Sequence, residues 1–429
     1  MKKPYVILVL YYTRGIYPLR DTIRTHLYCH ARYSQHRYVY VNLAFGFPWG
    51  ILKRMRIAGV IFHTICLSMR WSPTIFRERT ALLAPLEMLD VPKLAMPQDE
   101  FIHTDLLAQF LERQRITHLF TCATEADWRK IYGEFLDLER VKVKTTLTGY
   151  IDEATLRRVD QMKRRQGKRK VDIGYRAWKA AKWLGEHGQH KVRIAEVVQA
   201  AAGQRHLTVD ISLRDEDQLG GDDWLRFMVN CKATIGVEGG ASVLDRDGSL
   251  KARVEEYEKQ HPESGFEEVR EACFPGRDHE IGLRAISPRH FEACMTNTCQ
   301  ILVRGSYNGI LQPERHYIPL EPDYSNLHNA LEMLSDEEYV RAMVARADAD
   351  IVRSGDWSYR RFVEMIDREV FPSGKLKRAD LGTLFLHRVM QIRDWLSWQF
   401  QRLEVMAINK RGSTLANLAY RLITRLTVR

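Results

Sequence analysis

The sequence predicts an α/β protein of two domains, each a parallel sheet covered by helices, followed by a helical tail. Its 429 residues are enough for two domains that each bury a core. Short β-branched apolar runs alternate with helical stretches along most of the chain, which is typical of parallel sheets wrapped by helices. A polar, basic run between Arg157 and Lys170 separates two such series. We therefore expect domains at 1–165 and 166–375 and a tail at 376–429.

Composition excludes an integral membrane protein. Hydrophobic residues make up 45% of the chain and charged residues 28%, as in globular proteins. No run approaches the roughly 18 to 20 apolar residues needed to span a bilayer. The apolar run after Lys3 is broken at Thr13-Arg14-Gly15 and lacks a small-residue cleavage site, so we interpret it as a first strand rather than a signal peptide.

The cysteines indicate the cellular compartment, and the net charge indicates the kind of partner. The seven cysteines are widely spread, with no C-x-x-C pair and no Cys/His metal spacing, which favours a reducing cytoplasm. The net charge of +11 favours an anionic partner. Such a partner could be a nucleotide diphosphate, a lipid phosphate, an acidic bilayer surface or a nucleic acid. The net charge alone does not distinguish among these four.

Strand-like runs in the first half place polar residues at their carboxyl ends, where parallel sheets bind ligands. The runs are P-Y-V-I-L-V-L-Y-Y, R-Y-V-Y-V-N-L-A-F, G-V-I-F-H-T-I-C-L, V-P-K-L-A-M-P-Q-D-E-F and T-H-L-F-T-C-A-T. His63, Asp99 and Glu100 lie at or just after such ends, and we predict them as acceptor-side catalytic residues. The alternatives are a hydrogen-bonded structural role for His63 and helix capping by the two carboxylates.

The second half begins with the strand V-D-I-G-Y-R-A-W, and Arg176 emerges near its end. A later strand leads into a glycine-rich turn, A-T-I-G-V-E-G-G-A-S. Glycines there let the backbone approach a ligand, a serine donates to phosphate, and a glutamate accepts from a sugar or base. The turn residues predicted to bind ligand are Glu238, Gly239, Gly240 and Ser242. The D-R-D at Asp245 to Asp247 is interpreted as a turn rather than a metal site.

The most informative segment runs from Ser287 to Pro319 and predicts a helix, an apolar strand and a glycine-containing loop. Ser287 is the predicted N-cap, with Pro288 at the first helical position. The start of this helix carries phosphate donors and, one turn on, a carboxylate that suits a sugar hydroxyl. The residues predicted to contact a nucleotide sugar are Ser287, Arg289, His290, Glu292, Asn308 and Gly309.

The pattern S-P-R-x-F-E-A-C-x-x-x-T, followed by N-G-I-L-x-P and H-Y-I-P, resembles the donor-binding segment of GT-B glycosyltransferases, in their family-four-like and spore-maturation-like bacterial branch. The resemblance covers roughly half the chain. It implies two Rossmann-like domains facing across a cleft, with the acceptor on the first and the nucleotide sugar on the second. It also implies that Arg176 contacts the diphosphate. Family-four enzymes carry two acidic residues eight positions apart; the second falls on Glu292, but the first falls on Arg284, which departs from the pattern.

The resemblance implies a glycosyltransferase that moves a sugar from a nucleoside diphosphate sugar to a hydroxyl of a glycan or lipid-linked acceptor. We expect no bound metal or other cofactor, retention of anomeric configuration, and a place in cell-surface polysaccharide synthesis. A non-catalytic protein of the same fold that binds nucleotide sugar or glycan is the alternative, because of Arg284. A nucleic-acid-binding protein would explain the charge, but the sequence carries no nucleic-acid motif.

The tail is basic and amphipathic. From Leu376 to Arg429 it holds ten basic and three acidic residues, a net of +7. Apolar residues recur at three- and four-residue steps, which predicts one stripe on a helix: Phe385, Val389, Ile392, Leu396, Phe400 and Leu403. The stripe predicts either packing on the protein or docking on an acidic bilayer at the inner face of the membrane.

Overall fold

The computed structural model describes residues 5–16 and 18–409. Its first sheet has six parallel strands in the order β2-β1-β3-β4-β5-β6. The strands are β1 (Val6–Tyr11), β2 (Arg37–Asn42), β3 (Ile57–Phe62), β4 (Lys93–Ala95), β5 (His118–Thr121) and β6 (Lys142–Thr145). The helices between them are α1 (Asp21–Tyr33), α2 (Trp49–Leu52), α3 (Thr64–Leu67), α4 (Pro73–Ala81), α5 (Thr104–Arg113) and α6 (Glu125–Tyr132). Strands β1 and β3 are buried along their whole length, as expected of continuous apolar runs in a parallel sheet covered on both faces.

The second sheet has five parallel strands in the order β13-β12-β9-β7-β8. The strands are β7 (Val171–Arg176), β8 (Val209–Ser212), β9 (Cys231–Gly236), β12 (Cys299–Val303) and β13 (Ile318–Leu320). The helices around it are α7 (Glu153–Arg165), α8 (Glu186–Gln204), α9 (Gly221–Asn230), α12 (Pro288–Met295), α13 (Leu327–Ser335) and α14 (Glu337–Ala347), the last continuing into a π-helical stretch over Asp348–Arg353.

The charged segment between the two site-bearing parts of the second domain packs on the first domain. It contains the hairpin β10 (Gly239–Ala241) and β11 (Leu283–Ala285), with α10 (Ser249–Gln260) and α11 (Phe266–Cys273) between them. Asp245 pairs with Ile102 of the first domain, and His103 N donates to Asp245 O at 2.7 Å. Asp245 and Asp247 accept backbone N–H groups at the start of α10, so D-R-D is the expected turn.

The polar run interpreted as a domain linker is largely helix. Helix α7 covers most of it and packs against α9 and α12 of the second domain. The guanidinium of Arg169, in the short loop that follows, donates to the backbone oxygens of Cys231 and Thr296. The chain itself crosses between the sheets in the segment 146–152, before this helix begins.

The last helices that the structure describes return to the first domain. Helix α15 (Tyr359–Glu369) packs its apolar face, including Phe362 and Ile366, against α1 and the first sheet. Beside it, Ile151 N donates to Trp357 O and Tyr359 N donates to Ile151 O, so the two crossings run side by side. The last helix, α16 (Leu381–Asn409), lies along β2.

Of the two alternatives left open for the apolar stripe of α16, packing on the protein does not describe most of it; only Val389 and Phe400 of the six stripe residues are half-buried. Phe385, Ile392, Leu396 and Leu403 are exposed, and the opposite face of the helix is buried against the protein. Five basic residues counted in the tail's charge lie outside the described residues: Lys410, Arg411, Arg421, Arg425 and Arg429. Among the helices that the structure describes, none is long and apolar enough to cross a membrane.

Candidate functional site

A cavity of about 440 Å³ lies between the two domains. Helix α1 of the first domain contributes Arg20, just before it, together with Asp21, Thr22 and Thr25. The facing wall belongs to the second domain. It consists mainly of Trp178, Gln218, Leu219, Gly220, Gly221, Trp224, Leu225, Ser287, Pro288, Arg289, Phe291, Glu292 and Met295. The side chains of Arg20 and Trp178 meet across the gap, with the guanidinium 5.5 Å from the indole centroid.

A second cavity of about 150 Å³ adjoins it at the carboxyl ends of β7 and β9. Its walls include Tyr175, Ala177, Lys191, Val237, Gly239 and His290. Trp178, Trp224, Ser287 and Arg289 line both spaces. The two cavities are therefore parts of one site, located where an open parallel sheet binds its ligand.

The start of α12 forms the centre of this site. Ser287 is its N-cap and Pro288 occupies the first turn, as the sequence predicts. The Ser287 hydroxyl makes no capping hydrogen bond to the helix, and the residue lines both cavities. The first backbone N–H groups of a helix carry partial positive charge and point away from it, so this end of α12 suits an anion.

Glu292 is held by the neighbouring tryptophan and arginine. Trp224 Nε1 donates to Glu292 Oε2 at 2.7 Å, and the Arg289 guanidinium lies 5.3 Å from the Trp224 ring centroid. Burial raises the pKa of Glu292, while the Trp224 hydrogen bond and the Arg289 charge act in the opposite direction. One carboxylate oxygen is fixed by the indole, and the other retains acceptor capacity for a ligand hydroxyl.

Two cations that line the smaller cavity, Lys191 and Arg289, form no ion pair among the described residues. Arg289 Nη1 donates only to the backbone oxygen of Arg176. Burial lowers the pKa of Lys191, the Arg289 charge lowers it further, and Asp99 opposes both. Two unpaired cations on one cavity wall are costly unless an anion joins them, so this wall suits a phosphate or diphosphate.

Of the three predicted catalytic residues, only Asp99 lies near a cavity wall, beside Lys191, and it lines neither cavity itself. It is exposed, has a positive φ of 55°, and interacts electrostatically with Lys191 of the second domain. Arg70 Nη2 donates to the backbone oxygens of Gln98 and Asp99, which fixes the turn.

His63 and Glu100 are structural, which corrects the prediction for both. The His63 ring is buried, contacts His26 with 2.8 Å between ring nitrogens, and accepts from Ile65 N at the start of α3. Glu100 is buried and accepts from Tyr132 Oη at 2.7 Å, from Thr121 and from Cys122 N. Neither side chain reaches the cleft, because each strand end is covered by a following helix.

Arg176 does not contact the cavity, contrary to the role implied by the family resemblance. Its Nη2 donates to Asp210 Oδ1 at 2.7 Å, and its other donors bond the backbone oxygens of Tyr175, Asp210 and Asp217. The guanidinium also stacks on Phe227 at 4.5 Å. Its donor groups are engaged within the protein, so Arg176 forms a structural salt bridge with Asp210.

Two of the polar residues predicted to bind ligand in the glycine-rich turn are, like Arg176, engaged within the protein. Glu238 is buried and accepts from Ser306 and Tyr307 backbone N–H groups, which ties β9 to the loop after β12. Ser242 is buried, donates to Asp278 at 2.6 Å and accepts from His187 N at the start of α8. Both predictions of ligand binding are corrected, since these groups are occupied by the fold.

Gly239 lines the smaller cavity, whereas Gly240 serves the hairpin. A Cβ at Gly240 would lie 1.9 Å from Leu283 O, and its φ of 133° is strained for other residues. Asn308 accepts from Ile286 N at 2.8 Å, which is a structural contact, and Gly309 lies in the same turn with a φ of 72° and lines neither cavity. The roles predicted for Gly240, Asn308 and Gly309 are thus not those of ligand contacts.

His290 is a wall of the smaller cavity rather than a cationic phosphate ligand. Its Nδ1 donates to Gln300 Oε1 at 3.0 Å, and its ring packs edge-on against Tyr307. Burial lowers the pKa of His290 to about 4, so the ring is neutral at physiological pH.

Sequence reasoning missed Lys191, Trp178 and Trp224. Lys191 lies on α8, 15 positions beyond Arg176 and just past a helix start that also contains Glu186 and His187, so it resembles an ordinary surface cation. The two tryptophans belong to different segments, and nothing in either segment indicates that they line the same cavities. For Trp178 a signal was present in the sequence: it lies at the end of a predicted strand, where parallel sheets bind ligands.

No family model and no curated protein matches this sequence. Among solved structures, an α-glucosyltransferase in complex with UDP-glucose and abasic DNA is 9% identical with a TM-score of 0.48, covering 84% of this chain and 99% of its own. HepE of Anabaena in complex with UDP is 8% identical with a TM-score of 0.47, covering 85% and 98%. TarM is 8% identical with a TM-score of 0.43, and the match spans 73% of this chain and only 54% of TarM. Likenesses this weak carry no argument about activity.

The architecture follows from the strand orders themselves. Two wholly parallel sheets face a shared cavity, and a helix near the end of the second domain crosses back to the first. The fold is GT-B. Its cleft contains the unpaired cations and the Trp224–Glu292 pair on the second domain and α1 on the first.

Proposed function

We propose that this GT-B protein is a glycosyltransferase that moves a sugar from a nucleoside diphosphate sugar to a hydroxyl of a glycan or lipid-linked acceptor. The observation that carries the proposal is the cavity wall on which Lys191 and Arg289 adjoin the Glu292 carboxylate held by Trp224. Neither cation has an ion-pair partner in the part of the chain that the structure describes. Phosphate donors and a hydroxyl acceptor on one wall match the two halves of a nucleotide sugar.

In this proposal the diphosphate lies against Lys191, Arg289 and the first turn of α12. The nucleoside extends toward Trp178 and Trp224, whose indole faces suit a base. The ribose hydroxyls donate to the free oxygen of Glu292. The size of the site agrees with a nucleotide sugar, because the two connected spaces of about 150 and 440 Å³ together lie in the range of small-molecule sites.

Transfer breaks the bond between the anomeric carbon and the leaving phosphate oxygen, forms a bond from that carbon to the acceptor oxygen, and releases the proton of the acceptor hydroxyl. Negative charge grows on the leaving diphosphate, and Lys191, Arg289 and the α12 N-terminus are positioned to offset it. We therefore propose that this chain needs no bound metal or cofactor for that task. Retention of configuration and membership of the family-four-like branch remain proposals that rest on the sequence resemblance. Asp99, beside Lys191, is the carboxylate that we assign to the acceptor side.

The acceptor is proposed to lie on α1. Asp21, Thr22 and Thr25 offer a carboxylate and two hydroxyls to a sugar, and Arg20 stacks on the tryptophan that separates them from the donor side. Such polar groups suit a growing glycan, and we place the reaction in cell-surface polysaccharide synthesis. The seven cysteines are all free thiols, which supports a cytoplasmic site of action, at the inner face of the membrane.

A second candidate is a non-catalytic protein that binds nucleotide sugar in the same cleft. Arg284 favours it, because the family pattern has an acidic residue at this position and this chain has an exposed arginine on β11.

A nucleotide panel followed by a transfer assay tests both candidates. Nucleoside diphosphates and their sugars are expected to raise the melting temperature, whereas nucleosides without phosphate do not. Release of the diphosphate from a nucleotide sugar with a labelled sugar identifies an enzyme when the label is recovered on an acceptor or, after hydrolysis, as free sugar. Binding without any turnover across the panel supports the second candidate, and no stabilisation by any diphosphate contradicts both.

A further inference from the structure

Helix α16 buries its polar face. Among its described residues, the buried positions include Thr383, His387, Ser397, Gln401 and Glu404, with Met390 the one buried large apolar side chain. A helix packed by hydrophobic burial would show the reverse pattern. Specific polar contacts therefore hold it to the first domain, together with ring contacts of Trp398 with Tyr11 and of Phe400 with Phe45.

Those contacts fix the rotation of the helix. Asp394 accepts from Tyr11 Oη at 2.6 Å and from Tyr28 Oη at 3.0 Å. Thr13 Oγ1 donates to Gln401 Oε1 at 3.2 Å, and Arg14 pairs with Glu404 at 3.3 Å. These bonds span more than two turns of the helix, so they fix the rotation of α16 and keep the opposite face exposed.

That outward face is apolar. Seven of the thirteen large hydrophobic side chains that are exposed in the described part of the chain belong to this one helix: Leu381, Phe385, Ile392, Trp395, Leu396, Leu403 and Met406. Phe385 is 70% exposed, Ile392 60% and Trp395 59%. Single exposed apolar residues are ordinary, but a stripe along a whole helix marks a docking surface.

The charges around the stripe are mainly positive; Asp380, exposed just before the helix, pairs with Arg56 at 2.9 Å. Arg388 and Arg402 are exposed beside it, and Lys377 and Arg378 are exposed just before the helix. Both acidic residues of the helix, Asp394 and Glu404, are engaged on the inward face. The docking surface thus presents aromatic and aliphatic side chains flanked by cations, with no carboxylate of the helix beside them.

We propose that the outward face of α16 docks this protein on an anionic lipid bilayer surface. The apolar stripe enters the boundary between headgroups and acyl chains, and the arginines at its edges contact lipid phosphates. A partner protein surface or a second copy of the chain would not require an excess of cations beside the apolar stripe, which is why we commit to lipid. Because the helix is bound to the first domain, docking would bring the proposed acceptor side close to the bilayer.

The test is sedimentation of the full chain with vesicles. Phosphatidylcholine vesicles with and without phosphatidylglycerol are compared at low and high salt. The paired change Ile392→Ser with Trp395→Ser removes two apolar contacts, and Arg388→Gln with Arg402→Gln removes two charges. The matched control is Leu82→Ser with Met88→Ser, since these two are also exposed apolar residues but lie off the helix. Melting curves and light scattering accompany every variant.

We expect the wild type and the control to sediment with the anionic vesicles at low salt and to be released at high salt. Each α16 pair should weaken partition about tenfold or more, with unchanged melting, because only exposed side chains are altered. Failure of the wild type to bind anionic vesicles at low salt overturns the proposal. So does a serine pair that converts a dimer into a monomer while leaving vesicle partition unchanged.

Discussion

Arg176, Lys191 and Arg289 are three cations near the same strand ends, and their surroundings give them different roles. Arg176 has a carboxylate, three backbone oxygens and an aromatic ring. Lys191 and Arg289 have no carboxylate partner among the described residues and line the cavity. The sequence resemblance selected Arg176, because position relative to a strand is readable from sequence, whereas the Asp210 that engages it lies on a different strand.

The first prediction separates these roles. Lys191→Ala and Arg289→Ala each remove a charge-assisted contact worth about 1.5 to 3 kcal/mol. Nucleoside diphosphate affinity should therefore fall roughly tenfold to a hundredfold, with the fold retained. Arg176→Ala is the matched control and should lower the melting temperature while its loss of affinity stays small. Calorimetry and melting curves measure both quantities; full affinity in Lys191→Ala and Arg289→Ala would remove these residues from the site.

The second prediction concerns His30, which is buried with no hydrogen-bond partner for either ring nitrogen among the described residues. Burial lowers its pKa to about 3, and His26 nearby contributes in the same direction. Between pH 6.5 and about 4 the unfolded imidazole binds a proton and the folded one does not. Acidification therefore costs the wild type stability at this residue, by about 3 kcal/mol over that interval.

The substitution His30→Phe removes that titration. The ring would still stack near Tyr38, which lies 5.5 Å from His30. Denaturant unfolding at pH 7 and at pH 4 should show the stability of the variant rising relative to the wild type as pH falls. A constant difference at both pH values would mean that His30 takes up a proton in the folded state.

At the scale of elements, sequence periodicity predicts that a face exists but not which way it points. The three- and four-residue spacing in α16 correctly predicts a helical apolar stripe, and the structure exposes it. The decisive contacts are Asp394 with Tyr11 and Tyr28, at sequence separations of more than 360 residues. The Ser287–Glu292 segment was predictable because its N-cap, proline and helix are local signals.

A pair of neighbouring residues tests the orientation of α16. Met390 is fully buried and Ile392, two positions on, faces outward. Met390→Ala should cost about 2 to 5 kcal/mol of unfolding free energy, whereas Ile392→Ala should change it by about 0.5 kcal/mol or less. Chemical denaturation of both variants measures this, and similar costs for the two would contradict the outward stripe.

For the whole molecule, the two sheets and their order of elements follow from the alternation of strands and helices, but the closeness of the domains does not. The charged segment around α10 and α11 gives no sign in sequence of packing on the first domain. In the structure Leu250 and Val254 join the first domain's core, and Gly248 lies against His103. The cleft between the domains is set by this contact and by the paired crossings at Ile151 and Tyr359.

The central claim is that the cleft binds a nucleoside diphosphate sugar through the second domain. A crystal structure with the most stabilising nucleoside diphosphate tests it directly. We predict phosphate oxygens within hydrogen-bond distance of Lys191 and Arg289, with the ribose at Glu292 and the base beside Trp178 or Trp224. A diphosphate bound elsewhere, or a nucleotide that leaves this cavity empty, would contradict it.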